Sequence, residues 1–587
     1  MDRITMGVAW RCVAAACIAM GVSQAQDPLA ENLLPAVTVE GIPRHVWVTG
    51  SMAKIQPNAS PGPAQFAELA AARNEFESFQ IHVRASSQPI ELQVTAGDFV
   101  NGRTGDRIPA ERNVAVFREA YLNVTTVSDQ NGISGLVPDG LIPGTDPYFH
   151  ERRNGFPLTI PAGETRSVWI DVFVPPKTPS GYYVGTIDLS DGDKPIARVP
   201  ARLKVWNFDI PSTATLRSGF GLGYPAFARS AYDAGRYPGT KGRPELGLPL
   251  MHAAVGAFFL DHRVSISEAV VKPTYPEGDW HDFDASYGAL LNGQANTLLA
   301  GARLTSVDYA NGGPNPSPNL ADLKDWRKHF EKKSWLPRFM EYLCDEPPGG
   351  CKWELIGPAA TLYHATAPGL KVLVTTDIAL ATQHGLLDAI DILVPTIDQV
   401  HPLGGTNQRP SYDDWLKRPG KELWWYQSCD QHGSCDNGQP GPKSSTWPSY
   451  MVDASPVRNR IFQWMAFLYG IQGELYYATD MWGDHPWDHL YYAGGNGDGA
   501  LFYPWTAEEV GGSTPIPVAS IRLKLIRGGM QDYEYLAALA KAGETQLVSD
   551  TLRSFITDAT TFKDDPAALL AARDKLGTAL HRRSLAR

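Results

Sequence analysis

Between residues 33 and 210, short segments alternate apolar and polar residues, and turn-forming residues separate them. A period of two is typical of β-strands that bury one face. The clearest strand candidates are 79–83, 167–174, 182–189 and 201–206. No convincing long helical pattern interrupts these segments. The pattern therefore predicts an all-β sandwich domain over residues 27–212.

The rhythm changes after Pro211, where apolar runs without alternation are separated by helical patterns such as 320–333 and 456–469. Such runs are typical of parallel strands that are buried on both faces. The strand candidates are 219–222, 264–266, either 298–299 or 304–307, 338–343, 371–376, 391–395, 422–426 and 474–477. Eight strands with helices between them predict a (β/α)8 TIM barrel over residues 213–545. A C-terminal helical extension is predicted over residues 546–587.

An open, doubly wound parallel sheet is the alternative fold for this alternation of strands and helices. Its nucleotide-binding forms carry a glycine-rich phosphate turn after the first strand, and this sequence has none there. The sequence therefore favours a multidomain protein, with an N-terminal β-sandwich followed by a barrel.

The N-terminus has the pattern of a secretory signal peptide, which we predict over residues 1–25. A basic segment is followed by a short apolar run over residues 12–22 and then by Ser-Gln-Ala. A buried helix is the weaker alternative because the run has no amphipathic period, and a lipoprotein anchor at Cys17 would need an apolar region that Arg11 interrupts. No other segment approaches the length of a membrane span. We expect an exported protein, periplasmic or extracellular, without an integral membrane segment after cleavage.

Charge and composition narrow the possible partners. The formal net charge is −11 at pH 7, from 63 acidic and 52 basic residues. Nucleic-acid binding needs a basic face, so this balance argues against such a partner. The 16 tryptophans suit stacking on sugar rings, but large protein cores also use tryptophan.

Four cysteines follow the predicted signal peptide: Cys344, Cys351, Cys429 and Cys435. An even number in an exported protein favours disulfides, most simply 344–351 and 429–435, although four cysteines allow three pairings. A zinc site is the alternative. It is less favoured because both cysteine pairs have longer gaps than zinc sites use, and His432 is the only nearby imidazole. We therefore expect disulfides and no metal.

The candidate catalytic residues are two adjacent carboxylates, Asp345 and Glu346, which follow an apolar run and precede two prolines. Pro347 cannot donate to a sheet, so the acids lie where the predicted strand ends. Barrel enzymes carry their chemistry at this end of the strands. Neighbouring carboxylates can hold different pKa values, so one can act as an acid while the other stays charged. The alternative is an ordinary solvated turn.

Other polar and aromatic residues end the seventh and eighth predicted strands: Trp424, Trp425, Tyr426, Tyr477 and Asp480. On the barrel hypothesis these residues share one mouth with the carboxylates. Each aromatic residue by itself is more often part of a core than of a binding site. Their shared position at strand ends favours a sugar-binding pocket.

The run 522–536, RLKLIRGGMQDYEYL, resembles the C-terminal signature of the glycoside hydrolase 123 family and of related DUF4091 domains. The segments Cys-Asp-Glu-Pro at 344–347, Leu-Trp-Trp-Tyr at 423–426, GIQGELYY at 470–477 and NEFESFQ at 74–80 resemble that family as well. The resemblance covers about residues 33 to 545 in the family's order. It implies a β-sandwich followed by a catalytic barrel. It also implies an exo-acting β-N-acetylgalactosaminidase that retains anomeric configuration through the 2-acetamido group of its substrate.

The resemblance also implies roles for the two carboxylates. Glu346 would be the general acid/base, and Asp345 would hold the acetamido N–H and offset positive charge on the cyclic intermediate. Such a mechanism needs neither a carboxylate nucleophile nor a cofactor. Because adjacent residues of a regular strand point to opposite faces, a bulge or turn must bring both side chains together. We interpret Asp532 and Glu534, in the 522–536 run, as structural.

Sugar specificity is less determined than the fold. The sequence departs from the family in two details: the eighth predicted strand ends in Tyr476 and Tyr477, where relatives often have Tyr-Trp, and the loop between Cys429 and Cys435 is distinctive. The rival hypothesis is a related barrel that cleaves a different sugar, or a non-catalytic protein that binds polysaccharide. Both hypotheses have carbohydrate as the partner.

Overall fold

The computed structural model describes residues 27–30, 33–223, 247–268, 272–273, 278–309, 319–432 and 446–586. The predicted signal peptide and Cys435 lie outside these ranges. Within them, none of the helices combines the length and the apolar character that crossing a bilayer requires.

The N-terminal region is rich in β-structure. In chain order its elements are β1 (Val46–Gly50), β2 (Ala67–Arg73), β3 (Glu75–Arg84), β4 (Ile90–Ala96), β5 (Phe99–Val100), β6 (Arg107–Ile108), α1 (Ala110–Asn113), β7 (Val114–Val124), β8 (Gly135–Pro143), β9 (Leu158–Ile160), β10 (Thr165–Val174), β11 (Gly181–Asp191) and β12 (Lys194–Asp209). They form two sheets. One has the order β1-β3-β10-β7-β8, and the other has the order β2-β12-β11-β4-β9, with β5 and β6 beside it.

The alternation of the sequence explains how these two sheets pack. Along β11, Tyr183, Gly185, Ile187 and Leu189 are buried, and the residues that alternate with them are partly exposed. These side chains join residues of β3 and β10, among them Ile81 and Ile170, in one hydrophobic cluster. The two sheets thus share a core, as the sandwich prediction requires.

The second region contains a parallel sheet. Its strands are β13 (Arg217–Phe220), β14 (Val307–Asp308), β15 (Phe339–Cys344), β16 (Lys371–Val374), β17 (Ile392–Leu393), β18 (Glu422–Trp425) and β19 (Gly473–Tyr476). Their order is β13-β19-β18-β17-β16-β15-β14, and every neighbouring pair is parallel. Parallel neighbours need crossover connections, which the intervening helices provide.

The helices of this region are α2 (Gly247–Asp261), α3 (His281–Asn292), α4 (Leu320–Lys332), α5 (Trp353–Thr366), α6 (Ile378–Gln383), α7 (Ile397–Val400), α8 (Asp413–Leu416), α9 (Cys429–His432), α10 (Pro456–Arg460), α11 (Phe462–Leu468) and α12 (Ile521–Lys541). Short 3₁₀ turns cover Leu336–Arg338 and Arg409–Tyr412. The helix predicted over 456–469 is two helices, α10 and α11, which meet at Ile461.

The parallel sheet is nearly closed into a barrel. Two isolated parallel bridges, Phe220 to Ile266 and Glu268 to Asp308, connect its two edge strands through residues 266–268. The predicted second strand is therefore represented by single bridges, and the third is β14 rather than residues 298–299. The finer (β/α)8 assignment stays a prediction, because α7, after β17, is only four residues long.

The chain ends in short hairpins and two further helices. The elements are β20 (Tyr491–Tyr492), β21 (Gly495–Asn496), β22 (Phe502–Tyr503), β23 (Val518–Ala519), α13 (Thr545–Arg553), β24 (Ile556–Asp558), β25 (Thr561–Phe562) and α14 (Pro566–Leu585). Helix α14 packs against the N-terminal region, where Arg573 pairs with Glu75 at 2.6 Å. The predicted domain boundaries at residues 212 and 545 remain predictions.

Buried ion pairs join helix α12 to the N-terminal sheet. Arg522 pairs with Asp139 of β8 at 2.9 Å, and Lys524 and Arg527 pair with Asp171 of β10 at 2.7 and 2.9 Å. All five side chains are buried. Burial by itself would raise the pKa of Asp171, but Arg527 and Lys524 hold that pKa well below its ordinary value. The helix therefore contacts the N-terminal region through paired charges.

The same helix is also bound to the barrel. Asp532 accepts hydrogen bonds from Arg460 at 2.8 and 2.9 Å and from the Trp464 indole at 2.8 Å. Glu534 accepts from the backbone N–H and hydroxyl of Thr215, just before β13, at 2.6 and 2.7 Å. These contacts agree with the interpretation of Asp532 and Glu534 as structural residues.

We predict that Asp171→Asn destabilises the whole chain, because it leaves Lys524 and Arg527 buried without their carboxylate. Removing one partner of a buried pair costs about 3–5 kcal/mol. Urea unfolding, followed by tryptophan fluorescence, measures the change in the free energy of unfolding. The matched control is Asp188→Asn, which removes an exposed ion pair with Arg198 and should leave stability unchanged. Equal effects of the two substitutions would contradict the prediction.

Candidate active site

The two predicted catalytic carboxylates lie at the carboxyl end of β15. Asp345 and Glu346 follow directly on the strand, and both are exposed. The pairing of β15 with β16 shifts register between Tyr342 and Cys344. Glu346 has φ +38°, in the left-handed region that residues other than glycine rarely adopt. The chain is thus irregular just before the pair and at Glu346, close to where a bulge or turn was predicted.

A tight turn continues from this irregular strand end. The backbone N–H of Gly349 donates to the Glu346 carbonyl at 2.8 Å, and that of Gly350 donates to the Asp345 carbonyl at 3.0 Å. A Cβ atom at position 350 would lie 2.2 Å from the Asp345 carbonyl oxygen, so the turn requires glycine there. The predicted disulfide between Cys344 and Cys351 is present and closes the loop. The carboxylates are therefore held on a short, cross-linked loop.

The side chain of Asp345 is oriented by two hydroxyl groups. Tyr342 donates to Oδ1 at 2.5 Å, and the Thr375 hydroxyl lies 3.2 Å from the same oxygen. Burial raises the pKa of Tyr342 well above its ordinary value, and the Asp345 charge raises it further. Tyr342 therefore stays a hydrogen-bond donor to Asp345.

Glu346 is held in a similar way by the neighbouring strands. The Tyr426 hydroxyl, just after β18, donates to Oε1 of Glu346. Burial raises the pKa of Tyr426, and the Glu346 carboxylate raises it further, so this phenol also stays protonated. The Glu346 backbone N–H donates to the Thr375 hydroxyl at 2.6 Å. Each carboxylate therefore has its own tyrosine, and one threonine contacts both residues.

The structure places Trp424 and Trp425, which were predicted to bind substrate, in the interior, because both residues are 0% exposed. Side chains alternate along β18, so Trp424 points into the barrel and Trp425 points outward. The Trp424 indole donates to Glu422 at 2.9 Å, at the amino end of the strand and away from the mouth. The Trp425 ring stacks on Phe462 of α11 at 5.0 Å. Both rings belong to the core.

The predicted residues of the eighth strand lie after β19. Tyr477 is 37% exposed, and the carboxylate of Asp480 accepts from the Gly223 N–H at 3.1 Å. Burial raises the pKa of nearby Asp498 to about 7, and Tyr477 is one of its hydrogen-bond partners. Tyr477 is therefore the exposed aromatic side chain among the five predicted binding residues.

Sequence reasoning missed four residues at this end of the sheet: Tyr342, Thr375, Glu268 and Asp308. Asp308 Oδ1 accepts from the Tyr342 backbone N–H at 2.9 Å. Burial raises the pKa of Glu268 to about 7, with Asp308 and Asp480 contributing. Thr375, Glu268 and Asp308 lie at the ends of strands or bridges, so position at a strand end is the signal that could have found these three, whereas Tyr342 lies within β15.

The described residues contain no group of three or more His, Cys, Asp or Glu side chains arranged to hold a metal ion. The site consists instead of paired carboxylates, phenols and a hydroxyl. Such a set can donate and accept protons and can hold a polar substrate by hydrogen bonds.

Residues 307–539 match the family model described as glycoside hydrolase 123, catalytic domain. The chain carries a family 123 glycoside hydrolase domain. This confirms the resemblance noted from the sequence, and the matched range includes both carboxylates, Tyr426, Tyr477 and Asp480. The protein is therefore a glycoside hydrolase that acts on carbohydrate.

The whole fold is similar to that of a family 123 glycoside hydrolase from Clostridium perfringens. The TM-score is 0.62 at 15% sequence identity, over 92% of this chain and 97% of that chain. A family 39 glycoside hydrolase from Bacteroides cellulosilyticus has a TM-score of 0.28 at 14% identity, over 78% of this chain and 82% of that chain. The TM-score of 0.28 is too low to indicate a shared fold. A search of curated protein sequences finds no match.

We predict that the hydrolase isolated without reduction contains a Cys344–Cys351 disulfide, because the loop between these two cysteines is short and their Cα atoms lie 5.8 Å apart. A second disulfide, Cys429–Cys435, is expected from the sequence. Peptide mapping by mass spectrometry, with a reduced sample as the control, identifies the linked peptides. Free thiols at Cys344 and Cys351, or a different pairing, would contradict the prediction.

Proposed function

We propose that this glycoside hydrolase is an exported, retaining exo-β-N-acetylgalactosaminidase that uses the 2-acetamido group of its substrate as the nucleophile. The observation that carries the proposal is the turn at Asp345 and Glu346. It exposes two adjacent carboxylates, each oriented by a tyrosine, at the mouth of the parallel sheet. The family 123 match supports hydrolysis of a glycoside by these residues.

In the first step, the acetamido oxygen attacks the anomeric carbon and the bond to the leaving oxygen breaks. Glu346 gives its proton to that leaving oxygen. Because Oε1 accepts from Tyr426, we assign proton transfer to Oε2. The sugar is left as a cyclic oxazolinium ion, and Glu346 is left as a carboxylate.

Asp345 stabilises this cyclic ion. Its Oδ1 accepts from Tyr342, so we assign the acetamido N–H to Oδ2. A fixed negative charge beside the developing positive charge lowers the barrier without reorganisation. In the second step, Glu346 takes a proton from water, the water oxygen attacks the anomeric carbon, and the bond from that carbon to the acetamido oxygen breaks, which restores the 2-acetamido group. Two displacements at one carbon retain its configuration.

Export is supported by the N-terminal pattern over residues 1–25 and by the Cys344–Cys351 disulfide, which is typical of oxidising compartments. The Clostridium perfringens relative is described in terms of glycolipid glycan hydrolysis. We propose the same substrate class, glycans or glycolipids with terminal β-linked GalNAc. The alternatives remain a different sugar or a non-catalytic role in polysaccharide binding.

Chromogenic β-GalNAc, β-GlcNAc, β-Gal and β-Glc substrates test the function. We expect β-GalNAc to be cleaved best, and the two sugars without a 2-acetamido group to resist cleavage.

Glu346→Gln should reduce turnover of substrates with poor leaving groups by about 10²–10⁴-fold, the usual contribution of a general acid. Glu354→Gln, on exposed α5 surface, is the matched control. Wild-type rates for Glu346→Gln on a natural disaccharide would show that the assignment is wrong.

Asp345→Asn tests the substrate-assisted mechanism. The amide can still hydrogen-bond the acetamido group, but it cannot offset the positive charge of the cyclic ion. We expect kcat to fall by an amount equivalent to about 3–4 kcal/mol, as when one preorganised electrostatic partner is lost. A thiazoline analogue of GalNAc should inhibit the wild type and bind the variant more weakly. Asp388→Asn, at an exposed carboxylate, is the control.

A 2-fluoro sugar distinguishes this mechanism from one with an enzymic nucleophile. Substrate assistance predicts that no carboxylate of the protein becomes covalently labelled. Intact-protein mass spectrometry after incubation measures the label. A stoichiometric adduct on a carboxylate would contradict the mechanism while leaving the hydrolase assignment in place.

A further inference from the structure

The hydroxyl group of Thr375 occupies a central position beside the two carboxylates. Thr375 follows β16, the strand paired with β15, and is 3% exposed. Its hydroxyl accepts from the Glu346 backbone N–H at 2.6 Å and lies 3.2 Å from Asp345 Oδ1. Its backbone N–H donates to the Cys344 carbonyl at 3.2 Å. One residue of the neighbouring strand therefore contacts three consecutive residues of the turn.

These contacts match what the turn needs. Two adjacent side chains share one pocket only if the backbone leaves the strand between them, and Glu346 does so with φ +38°. In that conformation the Glu346 N–H leaves the strand ladder and needs another acceptor. The Thr375 hydroxyl is that acceptor. The single proton of this hydroxyl has two acceptors within reach, Asp345 Oδ1 at 3.2 Å and the Cys344 carbonyl at 3.3 Å, and both belong to the turn.

We propose that Thr375 is a positioning residue for the reaction, which holds the turn so that Asp345 and Glu346 reach the same substrate. The inference rests on the proposed function, because it concerns the two carboxylates to which that function assigns the chemistry. Thr375 itself exchanges no proton with substrate. Its contribution is the geometry of the turn, and small displacements of reacting groups are costly in rate.

The next residue offers a matched control. Thr376 has the same side chain and the same exposure, 3%. Among the residues that the structure describes, its hydroxyl oxygen has no hydrogen-bond partner. Valine has the shape of threonine without the hydroxyl, so the same substitution at both positions removes an oxygen that contacts the turn in one case only.

The experiment compares Thr375→Val, Thr375→Ser and Thr376→Val on chromogenic and natural β-GalNAc substrates. We expect Thr375→Val to lower kcat by about 10- to 100-fold, with a smaller change in KM, because substrate still binds but the acid is displaced. The loss should be larger for poor leaving groups, which need the proton of Glu346. Thr375→Ser keeps the hydroxyl and should stay within about threefold of wild type. Thr376→Val should match wild type.

Thermal unfolding separates positioning from stability. The proposal predicts similar unfolding temperatures for Thr375→Val and Thr376→Val. Loss of the folded state in Thr375→Val but not in Thr376→Val would overturn it, because the role would then be structural. Wild-type kcat in Thr375→Val, or a loss in kcat that serine does not restore, would also overturn it.

Failure of the proposed function gives a different result. If Glu346→Gln keeps full activity, the assignment of the carboxylates is wrong, and the positioning inference fails with it. If Glu346→Gln is inactive and Thr375→Val equals Thr376→Val in rate and in leaving-group dependence, the function stands and only the role of Thr375 is wrong.

Discussion

The rest of the structure depends on the burial of basic side chains along helix α12. Arg522, Lys524 and Arg527 can lose their water only if carboxylates replace it, and those carboxylates, Asp139 and Asp171, belong to the N-terminal sheet. Helix α12, which belongs to the second region, is therefore covered by the N-terminal sheet, which lies earlier in the chain. The N-terminal sheets are part of the folded enzyme, and the barrel helix that contacts them could not be buried without them.

A second constraint acts at the end of β15. A regular strand would direct Asp345 and Glu346 to opposite faces. Instead, Glu346 has a left-handed backbone conformation, and the Cys344–Cys351 disulfide closes a short loop around the pair. The neighbouring strands then supply the groups that hold each carboxylate, Tyr426 from β18 and Thr375 from β16. The two carboxylates thus have a fixed orientation while both residues stay exposed.

Much of this could be predicted from the sequence. Alternating and continuous apolar runs indicated a β-rich region followed by a parallel one, because burial on one face or on two faces leaves a visible period. The Cys344–Cys351 pairing and the carboxylates at a strand end followed from local spacing and from the prolines after Glu346. The run 522–536 indicated the family, although its charged residues are structural. They are buried in the fold, where they pair with charges of other segments.

The tertiary structure decided which residues surround the carboxylates. Trp424 and Trp425 are aromatic residues of the kind that stack on sugars. Because side chains alternate along β18, however, the Trp424 ring points inside the sheet toward Glu422, and the Trp425 ring packs against Phe462 of α11. Tyr342 and Thr375 reach Asp345 from two paired strands. The sequence by itself determined the order of the elements and the position of the carboxylate pair at a strand end, since these depend on neighbours in the chain. The partners of that pair depend on register and strand order, which are set only when distant segments pack together.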